Sequence, residues 1–466
     1  VFRSDEYRIR YAPASPRHLT TERLPPSRET SLVGGAVDAL MNPQAPAASA
    51  PRRFAMSSVL ELESTPEIQD LRKKVGDFLT EFIYPNEKIL DRYDDTSRAT
   101  MKSIQNEAKR RGLWALGLPR EIGGGGLPFM HYVFVNEIVG RSEFAIAGLG
   151  THSAQDATML YFYGNAEQKK RWLQPLVNGD IYPCFSMTEP EVSGADPTGL
   201  QTRAVQDGDE WVINGHKWFT SGANVAAFAT VMLVTEPDAP TYEKFSMIIV
   251  PTDTKGFNII RPVPVMGETA GGHCEIRYED CRVPLTNLLG PRGQAFKIAQ
   301  KRLGPGRIYH CMRWLGQAQR AFELMCQRAL SRKTFGSTLA EKQTVQNWIA
   351  DSAAEIQAAR QLTLNAAAKV DAGDEARVEI SLIKFWGAKV LHDVIDRAIQ
   401  VHGALGVSED TPLAKMYRHA RFARIYDGPD EVHRMVVARR ILKEFKDGRT
   451  YDFGRGVRSH GFKTEL

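Results

Sequence analysis

The stretch EWVINGHKWFTSG, residues 210–222, sets Trp211, Val212, Ile213, Trp218 and Phe219 among polar residues around an Asn-Gly pair. Aromatic and β-branched residues pack well on a pleated surface, and Asn-Gly is a strong short-range turn signal. Runs of the same texture lie on either side: YPCFSMT (182–188), FATVMLVT (228–235), FSMIIVP (245–251) and CEIRYEDCRVP (274–284). Asp207-Gly208, Asn214-Gly215 and Lys255-Gly256 punctuate them as turns. The pattern predicts a compact middle β domain, barrel or sandwich, over residues 181–292.

Outside that block the period changes from two to about 3.6. STPEIQDLRKKVGDFLTEFI, 64–83, offers Thr65 as a cap and Pro66 as the first helical residue. It then places Ile68, Leu71, Val75, Phe78, Leu79 and Phe82 on one face. Helical signals continue to 176, and REIGGGGLP, 120–128, reads as a flexible connector. It follows no strand and precedes no Lys-Ser/Thr, so it lacks the context of a phosphate loop. After the β block, helical segments near 293–330, 342–371, 376–405 and 431–445 predict an antiparallel four-helix bundle. The expected class is α+β, with a disordered leader 1–55, an N-terminal helical domain 56–180, the β domain, a C-terminal bundle 293–446 and a tail 447–466.

Bulk properties narrow the function. Sixty basic and 55 acidic residues give a net charge of +5, but the two signs are interleaved, which argues against a nucleic-acid surface. The five cysteines, at 184, 274, 281, 311 and 326, include no C-x-x-C pair and read as reduced thiols of a soluble intracellular protein. No apolar run is long enough to span a bilayer. The leader is rich in Arg and free of Lys, as an import peptide would be, yet Asp5, Glu6, Glu22, Glu29 and Asp38 count against that and favour a linker or extension. A bacterial cytoplasm or mitochondrial matrix fits these features, and the closing Thr-Glu-Leu is not the peroxisomal Ser-Lys-Leu type. The eleven His residues show no ligand spacing, so no metal is expected.

Three motifs, CFSMTEP at 184–190, KWFTSGA at 217–223 and SRKTFG at 331–336, resemble the acyl-CoA dehydrogenases in sequence, order and spacing. The resemblance covers about 64–445. It implies an acyl-CoA dehydrogenase-like fold, FAD as cofactor, and removal of two hydrogens from an acyl-CoA thioester to give trans-2-enoyl-CoA. An electron-transfer flavoprotein is the implied acceptor. An isoalloxazine ring needs an aromatic wall and convergent donors. The resemblance assigns these to Phe185, Met187, Thr188, Trp218 and Thr220. Taken alone, a Trp and two Thr on strands are more often core and cross-strand packing, and it is the surrounding motif that reverses this. Arg332, Thr334, Phe335 and Gln343 match the family's contacts to the FAD of a neighbouring subunit, which implies a homotetramer or homodimer. Gln400 and Gly403 match the adenine end. An arginine fork suits a diphosphate.

RIYDGPDEVHR, 424–434, decides the chemistry. In most members the matching turn reads Tyr-Glu-Gly-Thr, and its Glu removes the α-proton. Here the order is Tyr426, Asp427, Gly428, Pro429, and Asp427 stands 27 residues after Gln400, the family's interval. Asp-Gly is also ordinary turn chemistry. An aspartate reaches about 1.5 Å less than a glutamate, and an ångström of misplacement costs on the order of 100-fold in rate. A subgroup sometimes fused to a kinase-like domain resembles this chain in DGPDEVH and in RLGPGRI, 302–308. Where some members carry the base on an earlier helix, this chain has Gly306. Tyr426 and Gly428 flank the substrate by resemblance, and Arg307 reads as a substrate anchor, a support for the base loop or a structural ion pair. TEPEVSGAD is one residue longer than the family's TEPGAGSD, so Ser193, a candidate for substrate binding, Gly194 or Ala195 stands in for its serine contact. Glu431 takes the place of the missing Thr at Pro429 as a cofactor neighbour. Two rivals stand beside the dehydrogenase: an acyl-CoA oxidase on the same fold, and a non-catalytic flavoprotein that binds nucleic acid.

Overall fold

The computed structural model describes residues 56–267, 272–453 and 456–458. The expected leader and residues 459–466 lie outside them. Among the described residues α-helices come first: α1 Met56–Glu63, α2 Pro66–Phe78, α3 Glu87–Leu90, α4 Asp95–Arg110, α5 Phe129–Val139, α6 Glu143–Gly148, α7 Ala154–Tyr163, α8 Ala166–Gln168 and α9 Gln174–Val177. Most of the predicted stripe is buried, with Ile68, Val75 and Phe78 of α2 and Leu79 just beyond it all at 0% exposure, while Leu71 and Phe82 are half-buried. Each fully buried side chain contributes roughly 1.5–3 kcal/mol. Pro66 does begin the helix, but Thr65 does not cap it with its side chain. Its hydroxyl donates back to the Leu62 carbonyl at 2.8 Å.

The glycine run is not the flexible link its composition suggests. Gly124, Gly125 and Gly126 donate to Pro119, Ala115 and Leu118 carbonyls at 2.8–3.0 Å. A Cβ on Gly124 would lie 2.2 Å from the Leu118 oxygen, so glycine is there for close approach.

The β domain is a seven-stranded sheet: β1 Pro183–Ser186, β2 Arg203–Asp207, β3 Glu210–Ser221, β4 Phe228–Val234, β5 Phe245–Pro251, β6 Phe257–Pro262 and β7 His273–Pro284. Strand order is β1-β4-β2-β3-β7-β6, with β5 on β4. β4 and β5 are covered on both faces, which is why they read as unbroken apolar runs. Ile213, Val231, Ile248 and Tyr278 fill one side. Phe228, Met232 and Phe245 pack on the other against Leu160 of α7, Leu173 and Ile298. Asn214-Gly215 is not a turn: β3 runs through it with a register shift, while Asp207-Gly208 makes the β2–β3 hairpin. Thr202 lies against Gly215, 2.3 Å from where a Cβ would stand, so only glycine fits there.

The C-terminal domain has α10 Ala295–Ser331, α11 Gln343–Asp371, α12 Arg377–His402, α13 Leu413–Ala423 and α14 Asp430–Lys446. The expected four long helices are thus joined by a fifth, α13, whose Leu413, Met416, Ala420 and Ala423 are buried. Arg360 of α11 donates to Glu137 of α5 and Glu63 of α1 at 3.0 and 3.1 Å, tying the two helical domains together. Part of the expected tail pairs as a hairpin, β10 Thr450–Asp452 with β11 Gly456–Arg458. Tyr451 donates from there to Glu379 of α12 at 2.6 Å. Among the described residues no helix is long and apolar enough to cross a membrane.

Candidate active site

The site is built where α13 ends and α14 begins. Asp427 and Gly428 both take left-handed backbone, at φ +55° and +97°, and Pro429 then starts α14 with its fixed φ of −67°. A non-glycine residue there costs of order 1–2 kcal/mol, and aspartate is among the side chains that tolerate it. Neighbouring groups hold the turn. Arg307 of α10 donates from Nε and Nη2 to the Asp427 carbonyl at 3.2 and 3.1 Å. His433 of α14 donates from Nε2 to the same oxygen at 3.1 Å. Lys384 of α12, fully buried, donates to the carbonyls of Ala423 and Gly428 at 2.7 and 3.2 Å. Asp430 is buried and receives Arg424 Nε at 2.8 Å, which closes the turn.

The Asp427 side chain points at α10. Its Oδ2 lies 3.2 Å from His310 Nε2, and the two side chains are 21% and 23% exposed. Tyr426 completes the wall: its hydroxyl accepts from Trp314 Nε1 at 2.9 Å, and burial raises its pKa. Burial lowers the pKa of His433 to about 4, helped by the Arg307 charge. Lys384 is likewise pulled below the usual lysine range by burial. Gly306, inside α10 next to Pro305, has its missing side chain's space filled by Gln155, whose Nε2 is 2.1 Å from where a Cβ would stand.

A second group lies at the β domain. Lys217 and Glu189, 0% and 2% exposed, form a buried pair at 2.9 Å. Lys217 also donates to Met187 and Met232 carbonyls at 2.7 and 2.8 Å. The Glu189 carboxylate accepts from Gln201 and Thr202 amides at 2.7 and 2.8 Å. Burial pulls Lys217 down to about 8. For Glu189, burial acts upward, but Lys217 and the hydrogen bonds outweigh it and leave the pKa lowered. This pair clamps Met187 and Thr188 to β3 just where Trp218 N–H donates to the Thr188 carbonyl at 3.0 Å. Phe185 and Met187 are half-buried. A Cβ on Gly194 would stand 3.2 Å from the Thr188 methyl, and Ser193 is exposed beside it. Thr220 is fully buried with its hydroxyl 3.2 Å from Ser186 Oγ, so that group is engaged inside the sheet.

The remaining expected residues stand at the surface of the C-terminal domain. Arg332 ends α10, and the hairpin of β8 Lys333–Thr334 with β9 Ser337–Thr338 carries Phe335 at its tip, 96% exposed. Gln343 opens α11; Gln400 and Gly403 close α12, and Glu431 sits exposed in the first turn of α14. Sequence reading passed over His310, Arg313, Trp314, Lys384 and His433, as well as the Glu189–Lys217 pair. The available cue was a polar and aromatic stripe at helical spacing, 307, 310, 314, on one face of α10.

The Trp218 indole Nε1 is buried with no hydrogen-bond partner among the described residues. A buried donor of that kind beside a half-buried Thr fits the polar edge of a flat ring system such as a flavin.

Comparison with known proteins bears on the family. Three family models match in sequence: the acyl-CoA dehydrogenase N-terminal domain over 65–180, the middle domain over 184–281 and the C-terminal domain over 293–442. The chain is 45% identical over 392 residues to the Mycobacterium tuberculosis protein named "Probable acyl-CoA dehydrogenase FadE2", covering 81% of this chain and 96% of that one. It is 42% identical to chicken (Gallus gallus) acyl-CoA dehydrogenase family member 11, over 80% of this chain and 50% of the relative, so it spans half that protein's length. Among solved structures, the acyl-CoA dehydrogenase of Geobacillus kaustophilus superposes with a TM-score of 0.73 at 29% identity, covering 81% and 98% of the two chains. The Bacillus anthracis acyl-CoA dehydrogenase complexed with FAD gives 0.71 at 28%, covering 83% and 68%.

Proposed function

The chain belongs to the acyl-CoA dehydrogenase family of FAD-dependent oxidoreductases, and on that premise we propose that Asp427 is the base that removes the α-proton of an acyl-CoA thioester. The observation that carries this reading is the Asp427 turn itself. A half-buried carboxylate stands on a backbone clamped by Arg307 and His433, facing the aromatic and imidazole wall of α10. So much support for one turn suits a reacting group that must be held within fractions of an ångström.

FAD, when bound, supplies a two-electron acceptor for the β-hydrogen as hydride. Phe185, Met187, Thr188 and Trp218 are the residues to hold it at the β domain. Thr220 stands buried beside them, its hydroxyl 3.2 Å from Ser186 Oγ and with capacity for a further hydrogen bond. Arg332, Thr334, Phe335 and Gln343, with Gln400, Gly403 and Glu431, face outward and suit the cofactor of a neighbouring subunit in a homodimer or homotetramer. Asp427 takes the α-proton as the β-hydrogen departs, leaving trans-2-enoyl-CoA. Tyr426 and Gly428 border the acyl chain, Ser193 lies in the loop over Thr188, and Arg307 acts by anchoring the base's main chain. Electrons then pass to an electron-transfer flavoprotein. Because Gly306 provides no carboxylate and Gln155 fills its space, no second base competes there.

Anaerobic mixing of the yellow enzyme with butyryl-, octanoyl- and palmitoyl-CoA tests the assignment. The wild type is expected to bleach with at least one of them, and Asp427→Asn to keep its flavin without bleaching. An Asn variant that bleaches at the wild-type rate would remove Asp427 from the role.

A further inference from the structure

We propose that His310 is a positioning residue for the Asp427 carboxylate: Arg313 fixes its proton on Nε2, and that N–H aims Oδ2 at the substrate. The inference rests on Asp427 being the base.

The argument begins with which ring nitrogen carries the proton. Arg313 Nη2 lies 2.8 Å from His310 Nδ1. A guanidinium has donors only, so Nδ1 must accept, and a neutral imidazole with Nδ1 as acceptor is protonated on Nε2. That nitrogen is the one 3.2 Å from Asp427 Oδ2. A second proton on the ring would point at the Arg313 charge. Burial and that guanidinium both lower the His310 pKa, and Asp427 only partly opposes them, so the ring is a neutral donor.

The ring is also held against rotation. Its centroid is 6.2 Å from that of Trp314 in a stacked arrangement and 5.3 Å from that of Tyr426, and the Trp314–Tyr426 hydrogen bond locks this slot. The residues fall at i, i+3 and i+4 on one face of α10, so a single helix carries the donor, its tautomer setter and its wall. At 3.2 Å the contact is long for a hydrogen bond to a carboxylate, commonly about 2.7–2.9 Å, and a small displacement on ligand arrival completes it. The main chain of Asp427 is already pinned through its carbonyl, so side-chain torsion is the freedom left to control. His310 controls it.

The test compares His310→Gln, His310→Asn and His310→Leu with Asp427→Asn in anaerobic stopped-flow bleaching by the best of butyryl-, octanoyl- and palmitoyl-CoA. Gln places an amide N–H where Nε2 stood, whereas Asn reaches only to Nδ1. The expected result is a limiting rate for Gln within about threefold of wild type, with Asn and Leu slowed roughly 10- to 100-fold. Flavin content and the substrate dissociation constant should not change. If Leu fails to fold, the Gln and Asn pair decides. Equal rates for Gln and Asn, whether both fast or both slow, would overturn the inference while leaving Asp427 in place, provided Asp427→Asn is dead. Normal bleaching by Asp427→Asn would instead defeat the base assignment and this inference together.

Discussion

Arg307 grips Asp427 by its main chain: Nε and Nη2 both donate to the Asp427 carbonyl, at 3.2 and 3.1 Å. With His433 on the same oxygen, three donors converge on a single acceptor in a residue at φ +55°. Such backbone costs of order 1–3 kcal/mol and persists where its surroundings over-determine it.

Lengthening the acid therefore should not improve the enzyme. Asp427→Glu puts an extra methylene into a turn whose anchor points do not move, and glutamate tolerates left-handed backbone less well than aspartate. We expect a loss of about 1 kcal/mol in stability and a fall on the order of 100-fold in the rate of flavin bleaching. Thermal midpoints and stopped-flow traces check both, and a Glu variant as fast as wild type would show that the turn is not fitted to the shorter side chain.

Acid should weaken the fold through His433. Its folded pKa of about 4 lies below the ordinary 6.5 of an unfolded histidine, so between those values the unfolded chain binds a proton that the folded chain refuses. Stability is then full above pH about 6.5 and declines as pH falls toward 4, by up to about 3 kcal/mol from this group. His433→Gln keeps a donor for the Asp427 carbonyl and cannot titrate. Its unfolding free energy from urea titrations should fall less steeply between pH 6.5 and 4 than that of wild type, the two slopes differing by close to one proton.

The buried pair in the β domain should be costly to break from either side. Glu189→Gln leaves a buried ammonium, and Lys217→Met a buried carboxylate, so each should destabilise by about 3–5 kcal/mol and weaken flavin retention. The double variant should lose clearly less than the sum. Full additivity in denaturant titrations would mean the two do not act as a unit.

Lys384 should matter locally. Lys384→Met preserves length and apolar bulk but leaves the Ala423 and Gly428 carbonyls without their donor, at a cost of about 1–3 kcal/mol. Hydrogen exchange should accelerate over 424–430 and stay unchanged in β4 and β5. Uniform acceleration across the chain would point to a global role instead.

These residues also mark how far the sequence could be read. The α2 stripe and the doubly covered β4 and β5 were legible because burial leaves a direct periodic trace, and Asp427 and Arg307 were both named. Asn214-Gly215 misled because the local signal is the same for a turn and for a register shift inside a strand. Thr65 and the glycine run failed likewise, through a hydroxyl that turns back and a close approach to Leu118. Lys384 and His433 carried no local signature, and the 307, 310, 314 stripe places His310 on a face of α10 without giving it a role, since a histidine or lysine on a helix gains its role only from the turn packed against it. That Arg307 would bind a carbonyl is a fact of tertiary geometry alone.

The immobilised turn turns the short acid into an advantage. An aspartate bolted down at its carbonyl swings on two bonds, where a glutamate would swing on three, and each rotor frozen on the way to reaction costs about 0.5–1 kcal/mol. What this lever gives up in length it recovers in stiffness.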